Sequence, residues 1–157
     1  MAALDRIDRK ILAELQRDAT LPLKLLAERV GLSQTPCWKR VQKLEEAGII
    51  TGRVALVAPE RIGLGLHVFV GIEALDHSPD WRDAFTAAVD AMPEIVEVYR
   101  MAGEMDYLLR VAVADMAGFD DFYKRLTDRV ALKNVTSHFA MERMKFSTAY
   151  PLDTESA

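Results

Sequence analysis

Gln34, Thr35, Trp38, Lys39, Gln42 and Lys43 crowd one short stretch of the 157-residue chain. At helical spacing they share a face opposite Cys37, Val41 and Leu44, which recur every three or four residues. Amide, hydroxyl, indole and ammonium groups are what the base edges and phosphates of DNA accept. Ser33 is placed to cap this helix, and Pro36 falls in its first turn, where a missing N–H costs nothing. Gly48 closes it in the left-handed conformation. A shorter amphipathic stretch precedes it, from Leu23 to Val30, followed by a turn at Gly31. Helix, glycine turn, capped helix is the helix-turn-helix arrangement, whose second helix enters the major groove with its N-terminal residues toward the bases. On this stretch alone, two ordinary core helices joined by a tight turn remain the alternative.

A second stretch with chemistry is Gly103-Glu104-Met105-Asp106. One reading is a plain hairpin turn, with Gly for the bend and acids because turns are wet. The other is a site for a small amino acid. Gly103 would let a ligand approach the backbone, free N–H groups would take its α-carboxylate, and Asp106 would hold its α-ammonium. Thr136 and Ser137 open the last strand and offer hydroxyls to the same pocket, or are ordinary strand-end residues. Nothing else resembles a reaction centre. His67, His77 and His138 lie far apart without metal-ligand spacing. There is no G-x-S-x-G and no P-loop, and no cofactor is implied. The lone cysteine, Cys37, excludes an internal disulfide and reads as a small buried hydrophobe, with a redox switch as the alternative.

The elements that position these stretches follow from periodicity. Asp5 to Arg17 reads as a first helix with Ile7, Ile11, Leu12 and Leu15 on one face. After the recognition helix, Ile49 to Val57, ending at Pro59, reads as an extended arm or wing strand that brings Arg53 within reach of the DNA backbone. A hinge over 60–65 separates residues 1–59 from residues 66–157. Strands are predicted over Leu66 to Leu75, Glu94 to Met101, Asp106 to Val113 and Val135 to Phe146. Helices fall between them, one with Trp81, Phe85, Val89 and Met92 inward, one with Phe119, Tyr123, Leu126 and Val130 inward. Strand, helix, strand, strand, helix, strand is the ferredoxin-like split arrangement. The expected fold is therefore α+β: an N-terminal winged helix-turn-helix domain, then a C-terminal ferredoxin-like βαββαβ domain. Both helices cover one sheet face. Phe69 and Phe139 are expected on the other, which predicts association with a second copy.

Charge supports two domains with different partners. The chain carries a net −4, yet residues 1–60 hold 10 Lys/Arg against 8 Asp/Glu, while residues 61–157 hold 10 against 16. A half this weakly positive binds DNA poorly as a single copy, so affinity needs several copies acting together. No apolar run approaches the roughly 18 residues of a membrane span, and Asp5, Arg6, Asp8, Arg9 and Lys10 break up any signal region. The expected location is the cytoplasm, with no membrane partner.

Along nearly its whole length the chain resembles the Lrp/AsnC (leucine-responsive/asparagine-responsive) transcription regulators. The resemblance is carried by Leu4 to Leu12, Leu26-Ala27-Glu28, Gly31-Leu32-Ser33, Arg40-Val41 and Leu44 to Ile50, then by Pro93 to Tyr99 and Gly103 to Leu109. Thr35 to Arg40, Arg53 to Leu56, Met101 to Tyr107, Phe122 to Arg125 and Phe139 to Glu142 look like the subgroup controlling cysteine detoxification. The resemblance implies double-stranded DNA as partner, a free amino acid as effector, cysteine first, and a homodimer assembling further to tetramer or octamer. It implies DNA contacts from Ser33, Gln34, Thr35, Pro36, Trp38, Lys39, Arg40, Lys43 and Arg53. It places the effector at Met101, Ala102, Gly103, Glu104, Met105 and Asp106, where two dimers meet; Thr136 and Ser137 join that site only on the residue reading above. Arg40 is expected on phosphate, though a salt bridge to Glu28 or Glu45 fits the sequence equally well. The rival is a small ferredoxin-like enzyme or amino-acid sensor without DNA binding, which would leave the helix-turn-helix unexplained.

Overall fold

The computed structural model describes residues 4–153. Its contacts divide them into two compact units, residues 56–143 and residues 4–55 together with 144–153. The last ten described residues thus belong with the first unit, whereas the sequence reading placed them in the second domain.

In the first unit, helix α1 spans Arg6–Arg17, α2 Leu23–Val30 and α3 Gln34–Glu46. Asp5 caps α1 reciprocally: its carboxylate accepts from the Asp8 N–H at 2.8 Å, while the Asp8 carboxylate accepts from the Asp5 N–H at 3.3 Å. Gly31 ends α2 at φ 76°. Ser33 occupies the cap position of α3, but its hydroxyl makes no capping bond. The far end is better determined. Gly48 sits at φ 67°, its N–H donates to the Glu45 carbonyl, and the Ile49 N–H donates to that of Leu44, both at 2.9 Å. This double closure needs a left-handed residue, which glycine supplies without steric cost. The core joins Ile11, Leu12, Leu26, Ala27, Val30, Cys37, Val41 and Leu44, with Leu152 of the C-terminal segment packed against it. Gln16 holds that segment from both sides, accepting from the Tyr150 N–H at 2.7 Å and donating to the Tyr150 carbonyl at 3.2 Å. Residues 51–58 form an arm without a ladder: they are assigned to no strand, and Val54, Leu56 and Val57 stand exposed.

In the second unit, a short 3₁₀ turn at Pro59–Ile62 leads into β1 Leu66–Ala74, α4 Pro79–Asp90, β2 Ile95–Arg100, β3 Tyr107–Val113, α5 Met116–Arg129 and β4 Leu132–Phe139. The sheet is antiparallel in the order β2-β3-β1-β4, which is the ferredoxin-like arrangement. Ser78 and Asp115 cap the two helices through the Trp81 and Gly118 N–H groups. Val68, Val70 and Ile72 of β1, all at 0% exposure, meet Trp81, Phe85 and Met92 from α4 and its end and Phe119, Phe122 and Leu126 from α5.

Three expectations change here. Phe122, not Tyr123, fills the core from α5. The last strand runs 132–139 rather than 135–146. The Ala140 N–H still reaches the His67 carbonyl, but β1 begins at Leu66, so no partner backbone remains for residues 141–146. Phe139 lies opposite Val68 and meets the Phe119 ring edge-on at 5.1 Å, which puts it on the helix side. The uncovered face is built instead from His67, Phe69, Gly71 and Glu73 of β1, with Leu108, Arg110 and Ala112 of β3 beside them.

Candidate DNA-binding face and effector site

The exposed side of α3 presents Gln34, Thr35, Pro36, Trp38, Lys39 and Lys43. Cys37 at 0% exposure, Val41 and Leu44 anchor the opposite side, so the helix is held by one stripe and free on the other. Burial also pushes the Cys37 thiol up, away from the reactive thiolate. Trp38 is 50% exposed and stands at the rim of a groove floored by Leu23, Leu26 and Val41. It is therefore neither core nor free. Lys39 and Lys43 form no ion pair among the described residues. Ammonium groups of this kind can exchange counterions for phosphate.

Two cations are differently disposed. Arg53 pairs with Glu45 at 2.7 Å. Arg40 pairs with neither Glu28 nor Glu45; its Nη1 lies 2.6 Å from Asp5 Oδ2 and 2.8 Å from Asp8 Oδ1. In the chain alone Arg40 is thus engaged by the carboxylates that cap α1.

The Asp8 N–H, and next Arg40, hold the Asp5 carboxyl below its ordinary range. A carboxyl depressed on folding contributes stability that is complete above its unfolded pKa and is lost as pH falls through the folded one. Thermal midpoints of parent and Asp5→Asn, followed by circular dichroism from neutral pH to about 2.5, should therefore differ at neutral pH and converge in acid. A gap that persists at the acid end would contradict this assignment.

The other candidate site is the connection between β2 and β3. Gly103 takes φ 135°, a region closed to ordinary side chains, and Met101 to Glu104 are exposed. Asp106 is the pivot. Its backbone N–H donates to the Ile72 carbonyl, its carbonyl accepts from the Met101 N–H, and its Oδ2 accepts from the Ala74 N–H, each at 2.8 Å. The Ala74 bond falls where the β1–β4 register shifts, between Glu73 and Ala74. Oδ1 has His77 Nε2 at 3.8 Å, beyond hydrogen-bond range, and the Lys133 ammonium acts on Asp106 through its charge. The N–H groups of Ala102, Gly103, Glu104 and Met105 find no partner among the described residues. The connection thus offers one open carboxylate oxygen beside a run of unpaired donors.

The strand-end hydroxyls separate. Thr136 lies opposite Gly71 on the uncovered face, and Ser137 opposite Val70 on the helix side. Side chains alternate across a strand, so the two cannot line one pocket. Met105 lies over Gly71, where an added Cβ would stand 3.2 Å from its sulfur. Sequence reasoning missed Gly71, although a glycine inside a strand signals close approach of another group. It also missed Ala74 and His77, for which no local signal exists.

No helix among the described residues is long and apolar enough to cross a membrane, and no three His, Cys, Asp or Glu gather around a metal-sized space. A helix-turn-helix unit and a ferredoxin-like unit with a polar turn define a DNA-binding protein with a ligand-binding second half. Comparison with known proteins agrees. Residues 4–51 match the "Winged helix-turn-helix DNA-binding" family and residues 67–150 the "Lrp/AsnC ligand binding domain". The chain is 55% identical over 151 residues to the DNA-binding transcriptional activator DecR of Escherichia coli, covering 96% of this chain and 99% of that one. It superposes with TM-score 0.91 and 50% identity on an AsnC family transcriptional regulator from Agrobacterium tumefaciens, over 97% of this chain and 99% of that one. A regulator from Neisseria meningitidis in complex with L-Met matches with TM-score 0.90 and 36% identity, over 95% and 97% of the two chains. The chain belongs to the Lrp/AsnC family of transcription regulators. It is a DNA-binding regulator and not an enzyme.

Proposed function

We propose that this regulator binds specific duplex sequences through the N-terminal half of α3 and changes its hold on them when a free amino acid occupies the β2–β3 connection. Gln34, Thr35 and Trp38 face the bases, while Lys39 and Lys43 neutralise phosphate. Arg53, half occupied by Glu45, reaches phosphate from the arm. The observation that carries the effector reading is the open Oδ1 of Asp106 beside four unpaired N–H groups. A zwitterion needs partners for both charges, since a desolvated charge left unpaired is costly. Thr136 borders the site through Gly71 and Met105. Cysteine is the first candidate effector, on the resemblance to the cysteine-detoxification regulators, and methionine the second, since a structural neighbour was solved with it. The uncovered sheet face, with Phe69 38% exposed, buries itself against a twofold mate. Such dimers assemble further, to tetramer or octamer, and bring enough cations to one duplex for cytoplasmic salt.

Calorimetry tests the effector site. Asn in place of Asp106 keeps an oxygen for the Ala74 N–H and removes only the charge. Asp106→Asn should weaken cysteine binding, measured under reducing conditions, by about 1–3 kcal/mol, the range of a charge-assisted hydrogen bond. Methionine, leucine and alanine complete the series. Equal affinity in parent and variant for whichever ligand binds would place the site elsewhere.

A further inference from the structure

Arg40 lies on α3 between the face presented to DNA and the face packed on the core: Cys37 and Leu44 stand three and four residues away on one side, Pro36 and Lys43 on the other. Its guanidinium is engaged at the start of α1. One nitrogen, Nη1, bridges Asp5 and Asp8, and those two carboxylates are themselves fixed by the capping box that starts α1. The apolar stripe of Cys37, Val41 and Leu44 sets which face of α3 turns inward, through contacts without hydrogen-bond directionality. Charge-assisted hydrogen bonds add a directional restraint on its rotation. We propose that Arg40 is a positioning residue for DNA recognition: it locks the rotation of α3 against the capped end of α1 and so aims Gln34, Thr35 and Trp38, without itself contacting phosphate.

This rests on the reading of α3 as the helix that reads the duplex, and it makes a prediction opposite in sign to that of a phosphate contact. The test uses the full-length chain, a duplex selected by the parent from a random library, and a scrambled duplex of the same composition. The informative variant is Asp5→Ser with Asp8→Ala. Serine still caps α1, two negative charges are gone, and neither shortened side chain reaches Arg40 with an acceptor. The positioning role predicts that the ratio of specific to scrambled affinity falls about tenfold, comparable to one lost base-pair recognition, even though the variant is more positive. Arg40→Ala should lower the same ratio by a similar factor. Adding it to the double variant should lower it no further, because all three residues act through one contact. Circular dichroism at the assay temperature shows that each variant is folded, so a loss of ratio reports aim and not unfolding.

Two results would overturn the proposal. If the double variant binds both duplexes more tightly with the ratio unchanged, α3 is aimed without Arg40, and the gain is the lost negative charge or a freed phosphate contact. If all variants keep the parental ratio while folded, the contact serves stability alone. Failure of the recognition-helix reading looks different: Gln34→Ala would then leave base preference untouched whatever the Arg40 variants do.

Discussion

Replacing Lys39 and Lys43 together with alanine should weaken binding to every duplex, by roughly 10²–10³ near physiological salt. Both ammonium groups are exposed without an ion pair among the described residues, so removing them breaks nothing within the fold. Each phosphate neutralised releases counterions and contributes about 0.9 to the slope of log affinity against log salt. Two lysines on each of two protomers should therefore flatten the slope by about 3.6. The ratio of specific to random binding should change little, because phosphate contacts position the protein and carry no sequence information. Gln34→Ala should do the reverse, altering preference at one or two base pairs with the slope intact. An unchanged slope in the double lysine variant would mean that this face of α3 does not meet the duplex.

Phe122→Ala should cost the second unit about 3–5 kcal/mol, the range for a buried aromatic truncated to alanine. Phe122 is fully buried between the sheet and α5, with Phe119 at 5.8 Å between ring centroids. A typical domain has only about 5–15 kcal/mol to lose, so much of the stability goes with one side chain. Tyr123→Ala, one residue along, should cost less than about 1 kcal/mol, since its ring lies 36% exposed at the edge of the same cluster. Urea unfolding of both variants checks the contrast. Equal losses would place both rings inward and contradict the packing of α5.

The same pair shows what the sequence does and does not disclose. Periodicity predicts a helix over this stretch and an aromatic facing inward, but spacing admits Tyr123 as well as Phe122, and only the packed sheet decides for Phe122. Helix ends at Gly31 and Gly48 were legible, because left-handed residues announce themselves locally. So was the inward row Val68, Val70 and Ile72, because alternation is local too. The extent of β4 was not. It is set by where β1 begins, and its register assigns Phe139 to the helix side and splits Thr136 from Ser137. The partners of Arg40 lie 35 and 32 residues away, and Asp106 and Ala74 are 32 apart. Contacts at such separations leave no periodic trace. The resemblance pointed to the Gly103–Asp106 turn, but the division of labour between the two oxygens of Asp106 emerges only from the folded sheet.

The proposed function requires one chain to couple amino-acid binding at Asp106 to its grip on DNA. Such coupling exists only if the ligand binds the two states of the protein with different affinity. The most direct measurement is fluorescence anisotropy of a labelled duplex selected by the protein, titrated at fixed salt without ligand and with cysteine or methionine at a concentration that calorimetry shows to be saturating. The parent should give two displaced curves. Asp106→Asn, at that same ligand concentration, should give curves that approach each other. Superimposed curves for the parent with its site filled would contradict the coupling.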